Sequence, residues 1–309
     1  MNLAPIILFA YNRPTHLAKT LEALKSNILA KESLLFIFAD GKNPKKIGDF
    51  QQVREMLKNL EIEQNELAPF ASVNIVYREE NFGLADSIIQ GINAVIYRFN
   101  KAIILEDDIV TSPIFLNYMN DSLNRYENEQ KVWSISAWSY PIDAQDLEDC
   151  YFWRSPHCWG WATWADRWQY FKRDIQWALS NFTKQDIDYI NIDGCAPHYF
   201  KQVIANHRGK IKTWAIFNYL IAYKHNALTL CPTISYVQQI GFDNSGTHCG
   251  EEGEVFNSHI INTKLPESYP NTIAESSIAL TRIKAFEKSL KKSLFMRILR
   301  KVKHLLHVS

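Results

Sequence analysis

The chain of 309 residues is poor in cysteine, glycine and net charge. Its five cysteines, at 150, 158, 195, 231 and 249, form no CxxC pair, and the count is odd. A disulfide scaffold is therefore not expected, and buried thiols in a reducing cytoplasmic compartment are. No apolar run reaches membrane-spanning length, so no spanning helix is expected. Met1–Tyr11 is apolar but has no basic n-region, so no secretory leader is expected either. No P-loop is present, and no GxGxxG follows the first apolar run, which removes the main support for a dinucleotide-binding or kinase-like reading.

The formal net charge is only +1, which argues against a dedicated nucleic-acid binder. That neutrality is a cancellation. Residues 282–309 hold nine Lys or Arg and one Glu, a net +8, which leaves −7 on the first 281 residues. Apolar residues at 47% and aromatics at 13% describe a folded globular chain with ample core.

The first 110 residues alternate two patterns. Apolar runs at Pro5–Ala10, Leu34–Ala39, Val73–Tyr77 and Ala102–Leu105 read as strands buried on both faces. Between them, Pro14–Leu24, Phe50–Leu60 and Leu84–Tyr97 carry apolar residues three or four apart, which predicts helices. The series predicts an α/β fold: a mostly parallel, Rossmann-like sheet with helices on both faces. Ligands in such sheets bind at the carboxyl ends of the strands. Those ends are polar here: Asn12-Arg13, Asp40-Gly41, Arg78 with Asn81-Phe82-Gly83, and Glu106-Asp107-Asp108.

Beyond residue 110 a helix is predicted over Phe115–Tyr126 and a strand over Val132–Ala137. Tyr151–Trp168 then holds five of the nine tryptophans. These rings are either core or a surface that stacks on the apolar faces of sugars. Gly241–His248 reads as a polar loop able to close over a ligand.

The acidic triplet is the strongest chemical signal. Three consecutive carboxylates repel one another, and a divalent cation or hydrogen-bond donors would relieve them; a solvated acidic loop is the bland alternative. Mg²⁺ and Mn²⁺ suit carboxylate oxygen. His248 is the natural second ligand. Asn81 and Gly83 either bind a nucleotide or simply start a helix.

Four segments carry a family resemblance: Phe9-Ala10-Tyr11-Asn12-Arg13-Pro14, Glu79-Glu80-Asn81-Phe82-Gly83-Leu84, Ile104-Leu105-Glu106-Asp107-Asp108 and Trp159-Gly160-Trp161-Ala162-Thr163-Trp164. Over residues 4–250 the chain resembles the GT-A fold glycosyltransferases, specifically bacterial sugar transferases similar to N-acetylglucosaminyltransferase I. The resemblance implies that Ala10, Asn12 and Arg13 hold the nucleotide base and that Asp40 touches the nucleoside. It makes the triplet a DxD-like motif, with Asp108 on the metal and Glu106 and Asp107 toward ribose and sugar. It puts the tryptophan segment on the acceptor side and His248 on the metal, and it favours UDP. It divides the chain into a nucleotide-sugar half (1–110), an acceptor and catalytic half of the same domain (111–270) and a basic tail (271–309). One departure stands out. The related enzymes place an aspartate before a tryptophan as the base, where this chain reads Lys212-Thr213-Trp214. Asp193 and Asp243 are the substitutes by elimination.

The expected reaction is metal-dependent transfer of a sugar from a nucleotide sugar to a hydroxyl of a glycan or lipid-linked glycan, by an inverting single displacement. In the tail, Ile283, Phe286, Leu290, Leu294, Ile298, Val302 and Leu305 are spaced three or four apart, with Lys and Arg on much of the other face. That predicts a basic amphipathic helix suited to an anionic membrane, peripheral on the cytoplasmic face of the inner membrane. The competing classes are a sugar-phosphate nucleotidyltransferase, which lacks its basic glycine-rich loop here, and a non-catalytic carbohydrate-binding protein, which has no need of the triplet.

Overall fold

The computed structural model describes residues 3–42, 48–243, 251–258 and 260–290. His248, Cys249 and the tail from 291 onward lie outside them.

The first half alternates β1 (Ile6–Ala10), α1 (Pro14–Lys25), β2 (Leu34–Ala39), α2 (Gly48–Leu67), β3 (Ser72–Tyr77), α3 (Leu84–Phe99) and β4 (Lys101–Glu106). These four strands are parallel, in the order β3-β2-β1-β4. Side chains of a strand alternate between faces, and β1 divides accordingly. Ile6 and Leu8 join a core with Leu17, Leu35 and Leu57 of α1, β2 and α2. Ile7 and Phe9 join a second core with Ile88 and Ile92 of α3. Burying each such aliphatic side chain stabilises the fold by about 1.5–3 kcal/mol. The edge strand β3 corrects the expectation of strands buried on both faces, because Val76 is 43% exposed.

The second half adds β5 (Ile109–Thr111), α4 (Phe115–Arg125), β6 (Val132–Ser136), β7 (Cys150–Trp153) and β8 (Trp161–Trp164). Five helices follow: α5 (Ala165–Trp168), α6 (Ile175–Ser180), α7 (Lys184–Ile190), α8 (His198–His207) and α9 (Ala215–Lys224). After them come β9 (Leu228–Pro232) and β10 (Val237–Gln239). The sheet continues from β4 into antiparallel β8 and then through β6, β9 and β7. It therefore runs unbroken from one half of the chain into the other.

The short pair β5·β10 matters most for the site. Val237 pairs with Thr111 and Gln239 with Ile109. The Ile240 N–H then donates to the Asp108 carbonyl at 2.9 Å. The ladder therefore carries a late segment of the chain directly against the acidic triplet.

Four of the five clustered tryptophans are core. Trp153, Trp161, Trp164 and Trp168 are each at most 2% exposed. Trp161 and Trp164 lie on β8, between β4 and β6. Trp161 stacks on Trp214, and the Trp164 and Trp168 indole N–H groups donate to the Leu123 carbonyl and to Asn93. The sugar-stacking reading fails for these four.

The described part of the tail packs on the body; its remainder, from 291, lies outside the described residues. Residues 277–290 are helical, but Ala279 and Ile283 are fully buried and Phe286 packs on the main core. The apolar face of this stretch covers the protein body and is not presented to a membrane. No helix among the described residues is long and apolar enough to cross one.

Candidate active site

A cavity of about 690 Å³ opens at the carboxyl ends of the parallel strands. The structure brings Ala10, Asn12 and Arg13 to it from the end of β1. Asp40 arrives from β2, Asn81 and Gly83 from the loop before α3, and Glu106, Asp107 and Asp108 from β4. Nine residues singled out in the sequence therefore share one cavity.

Asp40 organises its neighbours. Its carboxylate accepts from the backbone N–H groups of Gly41, Phe82 and Gly83 at 2.9–3.0 Å and from the Asn81 amide at 3.0 Å. Much of its acceptor capacity is thus spent on fixing the 81–83 loop. Gly83 sits at φ +74°, a conformation that L side chains rarely adopt, and an added Cβ would meet nothing within 4 Å. Backbone conformation, not space, requires glycine there.

Part of the triplet's charge is offset by a cation within the chain. The Arg13 guanidinium pairs with Asp107, and its Nη1 lies 2.7 Å from Asp108 Oδ2. Burial opposes the Arg13 charge, but the two carboxylates more than offset it and raise the guanidinium above its ordinary pKa. Burial, helped by the Asp108 charge, raises Glu106 to about 8. Burial raises Asp107 to about 6 against the pull of Arg13. Asp107 also accepts from the Tyr11 N–H at 3.3 Å. Asp108 is 2% exposed, and its Oδ1 has no hydrogen-bond partner. A buried carboxylate oxygen without a partner is costly, and it is the atom a cation would occupy.

The metal expectation rests on that oxygen. Among the described residues no group of three or more His, Cys, Asp and Glu is placed to hold a metal ion. His248, the expected second ligand, lies outside them. Gly241 packs tightly here; an added Cβ would overlap the Asp108 carboxylate and lie 2.9 Å from Arg13 Nη1.

Neither expected base lines the cavity. Asp193, at φ +49°, pairs with Arg154 and with Lys284, both at 2.9 Å. Arg154 also holds Glu275 at 2.5 Å. Asp193 therefore belongs to an ion-pair cluster that ties the 277–290 helix to the body, and this overturns its selection by elimination. Asp243 is half exposed and lies 3.2 Å from His16 Nε2; its neighbours Gly241 and Phe242 contact the site. Lys212, in the place of the missing acid, lines the cavity and pairs with Asp86 on α3.

The opposite wall is aromatic, and sequence reasoning missed most of it. Trp138 stands 4.9 Å from Trp159, the one member of the tryptophan run that lines the cavity. Trp138 also stands 5.0 Å from Tyr140 and 4.5 Å from His157. Phe242 meets Trp159 edge-on at 5.5 Å, which links this wall to the Gly241–Asp108 contact. Burial lowers His157 to about 3, so the ring is neutral, and its Nε2 has no partner. The Tyr140 hydroxyl bonds to that of Tyr199 at 3.0 Å and donates to Glu287 at 3.2 Å. Glu287, 3% exposed, enters from the 277–290 helix. Its place as the lone acid of residues 282–309 was its only sequence signal.

A charged end that can take a phosphate-bearing ligand thus faces an apolar, hydrogen-bonding wall that can take a sugar. Comparison with known proteins agrees with that chemistry. A sequence model described as the GNT-I family matches residues 1–201. None of the curated proteins compared with the chain matches it. Among solved structures, TarS of S. aureus is 12% identical; the match covers 43% of this chain and 21% of that one, at a TM-score of 0.32. A shorter TarS structure, residues 1–349, is 9% identical, with 76% of this chain and 59% of that one covered at a TM-score of 0.42. A mannosyltransferase, PcManGT from Pyrobaculum calidifontis, solved with GDP-Man and Mn²⁺, is 13% identical, with 72% and 68% covered at 0.41. The chain thus spans about a fifth of the length of full TarS and 59% of the shorter form. Likenesses this loose bear on neither substrate nor site.

Proposed function

We propose, taking as premise that the chain belongs to the GNT-I family of glycosyltransferases, that it moves a sugar from a UDP-sugar to a hydroxyl of a glycan or lipid-linked glycan. Transfer from a nucleotide-sugar donor to an acceptor is the activity of the class. That membership favours transfer over the nucleotidyltransferase and over a non-catalytic sugar-binding protein. Donor base, ion, acceptor and stereochemistry are the proposal.

One observation supports it best: Arg13, Asp107 and Asp108 form a buried charged cluster at the same cavity as the aromatic wall. In this reading Ala10, Asn12 and Arg13 bind the nucleoside side of the donor, supported by the Asp40-fixed loop of Asn81 and Gly83. Glu106 and Asp107 face ribose and sugar. Asp108, through Oδ1, and His248 would hold Mn²⁺ or Mg²⁺. Bound there, the ion would neutralise charge that builds on the leaving diphosphate. Few protein ligands suffice for such an ion, because it keeps waters and substrate phosphates. Asp243, outside the cavity lining but next in the chain to Phe242, which lines it, is the carboxylate we assign to deprotonate the acceptor hydroxyl. As the acceptor oxygen bonds to the anomeric carbon, the bond to the diphosphate breaks, and the single displacement inverts the centre. The Gly241–His248 segment would exclude water from that step.

A thermal-shift series with UDP, GDP, CDP and dTDP, each with Mn²⁺, Mg²⁺ or EDTA, tests the donor side. UDP with Mn²⁺ should give the largest stabilisation, and EDTA should reduce it. Equal shifts with all four nucleotides, or none with any, would remove the donor assignment. NMR of the product's anomeric proton tests inversion.

A further inference from the structure

Apart from Asp40 and the acidic triplet, the cavity is lined by one other carboxylate among the described residues, and it comes from the 277–290 helix. The family match ends at residue 201, so it does not reach this helix. Glu287 is 3% exposed, and the Tyr140 hydroxyl donates to it at 3.2 Å. It stands beside the aromatic wall: Tyr140 contacts Trp138, Trp138 contacts Trp159, and Trp159 contacts Phe242 next to the Asp108 neighbour Gly241. The helix is held in register by apolar and ionic contacts. Phe286 packs on Tyr140 and Phe256. Lys284 pairs with Asp193, which also holds Arg154.

Burying a carboxylate in an aromatic pocket is costly, and a packed helix could present an apolar residue there instead. A sugar ring fits such a pocket. Its apolar face lies on indole or phenol rings, and its hydroxyls need a strong acceptor in the same plane. The neutral His157, whose Nε2 has no partner, supplies a second polar atom on the same wall.

We infer that Glu287 anchors the acceptor sugar: its carboxylate accepts from hydroxyls of a neutral pyranoside lying against Trp159, so that the 277–290 helix completes the acceptor site. The role is binding and specificity, and no bond is made or broken at Glu287. The inference rests on the glycosyltransferase reading of the same cavity.

The test uses the full chain with UDP-Glc, UDP-Gal and UDP-GlcNAc as donors. The acceptors are methyl α- and β-glycosides of glucose, galactose, mannose, N-acetylglucosamine and rhamnose, with products read by mass. Glu287→Gln keeps shape and an acceptor oxygen but removes the charge. It should raise the KM of the best glycoside about tenfold or more, because charge-assisted hydrogen bonds are lost. The donor KM and the UDP thermal shift should stay within about twofold of the parent, since the hydrogen bond described for the carboxylate comes from Tyr140 on the aromatic wall. Glu287→Asp, which keeps the charge but shortens the arm, should fall between the two. Hydrogen exchange on the unmodified chain gives a readout that needs no variant: the glycoside, and not UDP, should protect peptides spanning 277–290. An unchanged acceptor KM in Glu287→Gln overturns the inference. So does a donor KM that rises in step with it. A parent chain that UDP stabilises but that neither uses any glycoside nor shows protection at 277–290 overturns it while leaving the donor reading intact. A parent chain that no UDP-sugar or UDP stabilises removes the underlying reading, and this one with it.

Discussion

The two walls of the cavity are built in different ways. The charged wall comes from strand ends. Its residues are fixed by the register of β1, β2 and β4, and most of its groups already have partners: Asp40 in the 81–83 loop, and Asp107 and Asp108 on Arg13. The aromatic wall comes from loops and from a helix far along the chain, and ring packing holds it. Its polar atoms are sparser, and His157 Nε2 has none to bond with. A site for a charged, invariant ligand portion is best fixed by backbone geometry. A site for a variable sugar is better placed where side chains can be exchanged without disturbing the sheet.

If the walls are separate in this sense, a change on one should leave the other's ligand untouched. Asp108→Ala is the strongest probe. It removes the buried oxygen assigned to the ion and leaves Arg13 with one carboxylate. Transfer should fall by about 10³-fold or more, in line with the loss of electrostatic stabilisation of a leaving group. Protection of residues 277–290 by a glycoside should persist. Metal-dependent turnover equal to that of the parent would end the assignment of Asp108, and joint loss of both ligands would end the separation.

Gly241→Ala ranks second. The new methyl group must displace the Asp108 carboxylate or Arg13, because both occupy its space. Misplacing catalytic groups by about 1 Å can cost 10²-fold, and a loss of about that size in turnover is expected, with the fold retained by circular dichroism. A fully active variant would show that the β10-to-Asp108 approach is slack.

The two walls also differed in how far the sequence revealed them. The Leu34–Ala39 strand was placed to the residue, and the other three parallel strands within one residue at each end. Apolar runs with polar ends carry that information locally, and parallel topology then gathers the polar ends. The aromatic wall depends on long-range packing, which periodicity does not encode. The tryptophan run left core and sugar platform open; Trp161 and Trp164 of β8 are core, because both faces of the sheet are covered there and each ring joins the cluster on its own face. Asp193 looked available and is clamped by Arg154 and Lys284. Glu287 could not be placed without the docking of its helix. The apolar positions that suggested a membrane face, Ile283 and Phe286, are what dock it.

Smaller effects sharpen the aromatic side. Trp159→Ala removes a half-buried ring that bridges Trp138 and Phe242. Aromatic pairs contribute about 0.5–1.5 kcal/mol beyond their buried area, so an acceptor KM raised about tenfold is expected, with donor KM unchanged. A rise in donor KM instead would place Trp159 on the donor. The mildest prediction concerns acid. His157 is held near 3 by burial, against about 6.5 in an unfolded chain. Between those values the unfolded state binds a proton that the native state refuses, so stability falls as pH is lowered through that window. Urea midpoints taken from neutral pH to about pH 4 should therefore decline more steeply for the parent than for His157→Gln, by close to one proton in the slope. Equal slopes would mean that the ring is solvated and titrates normally.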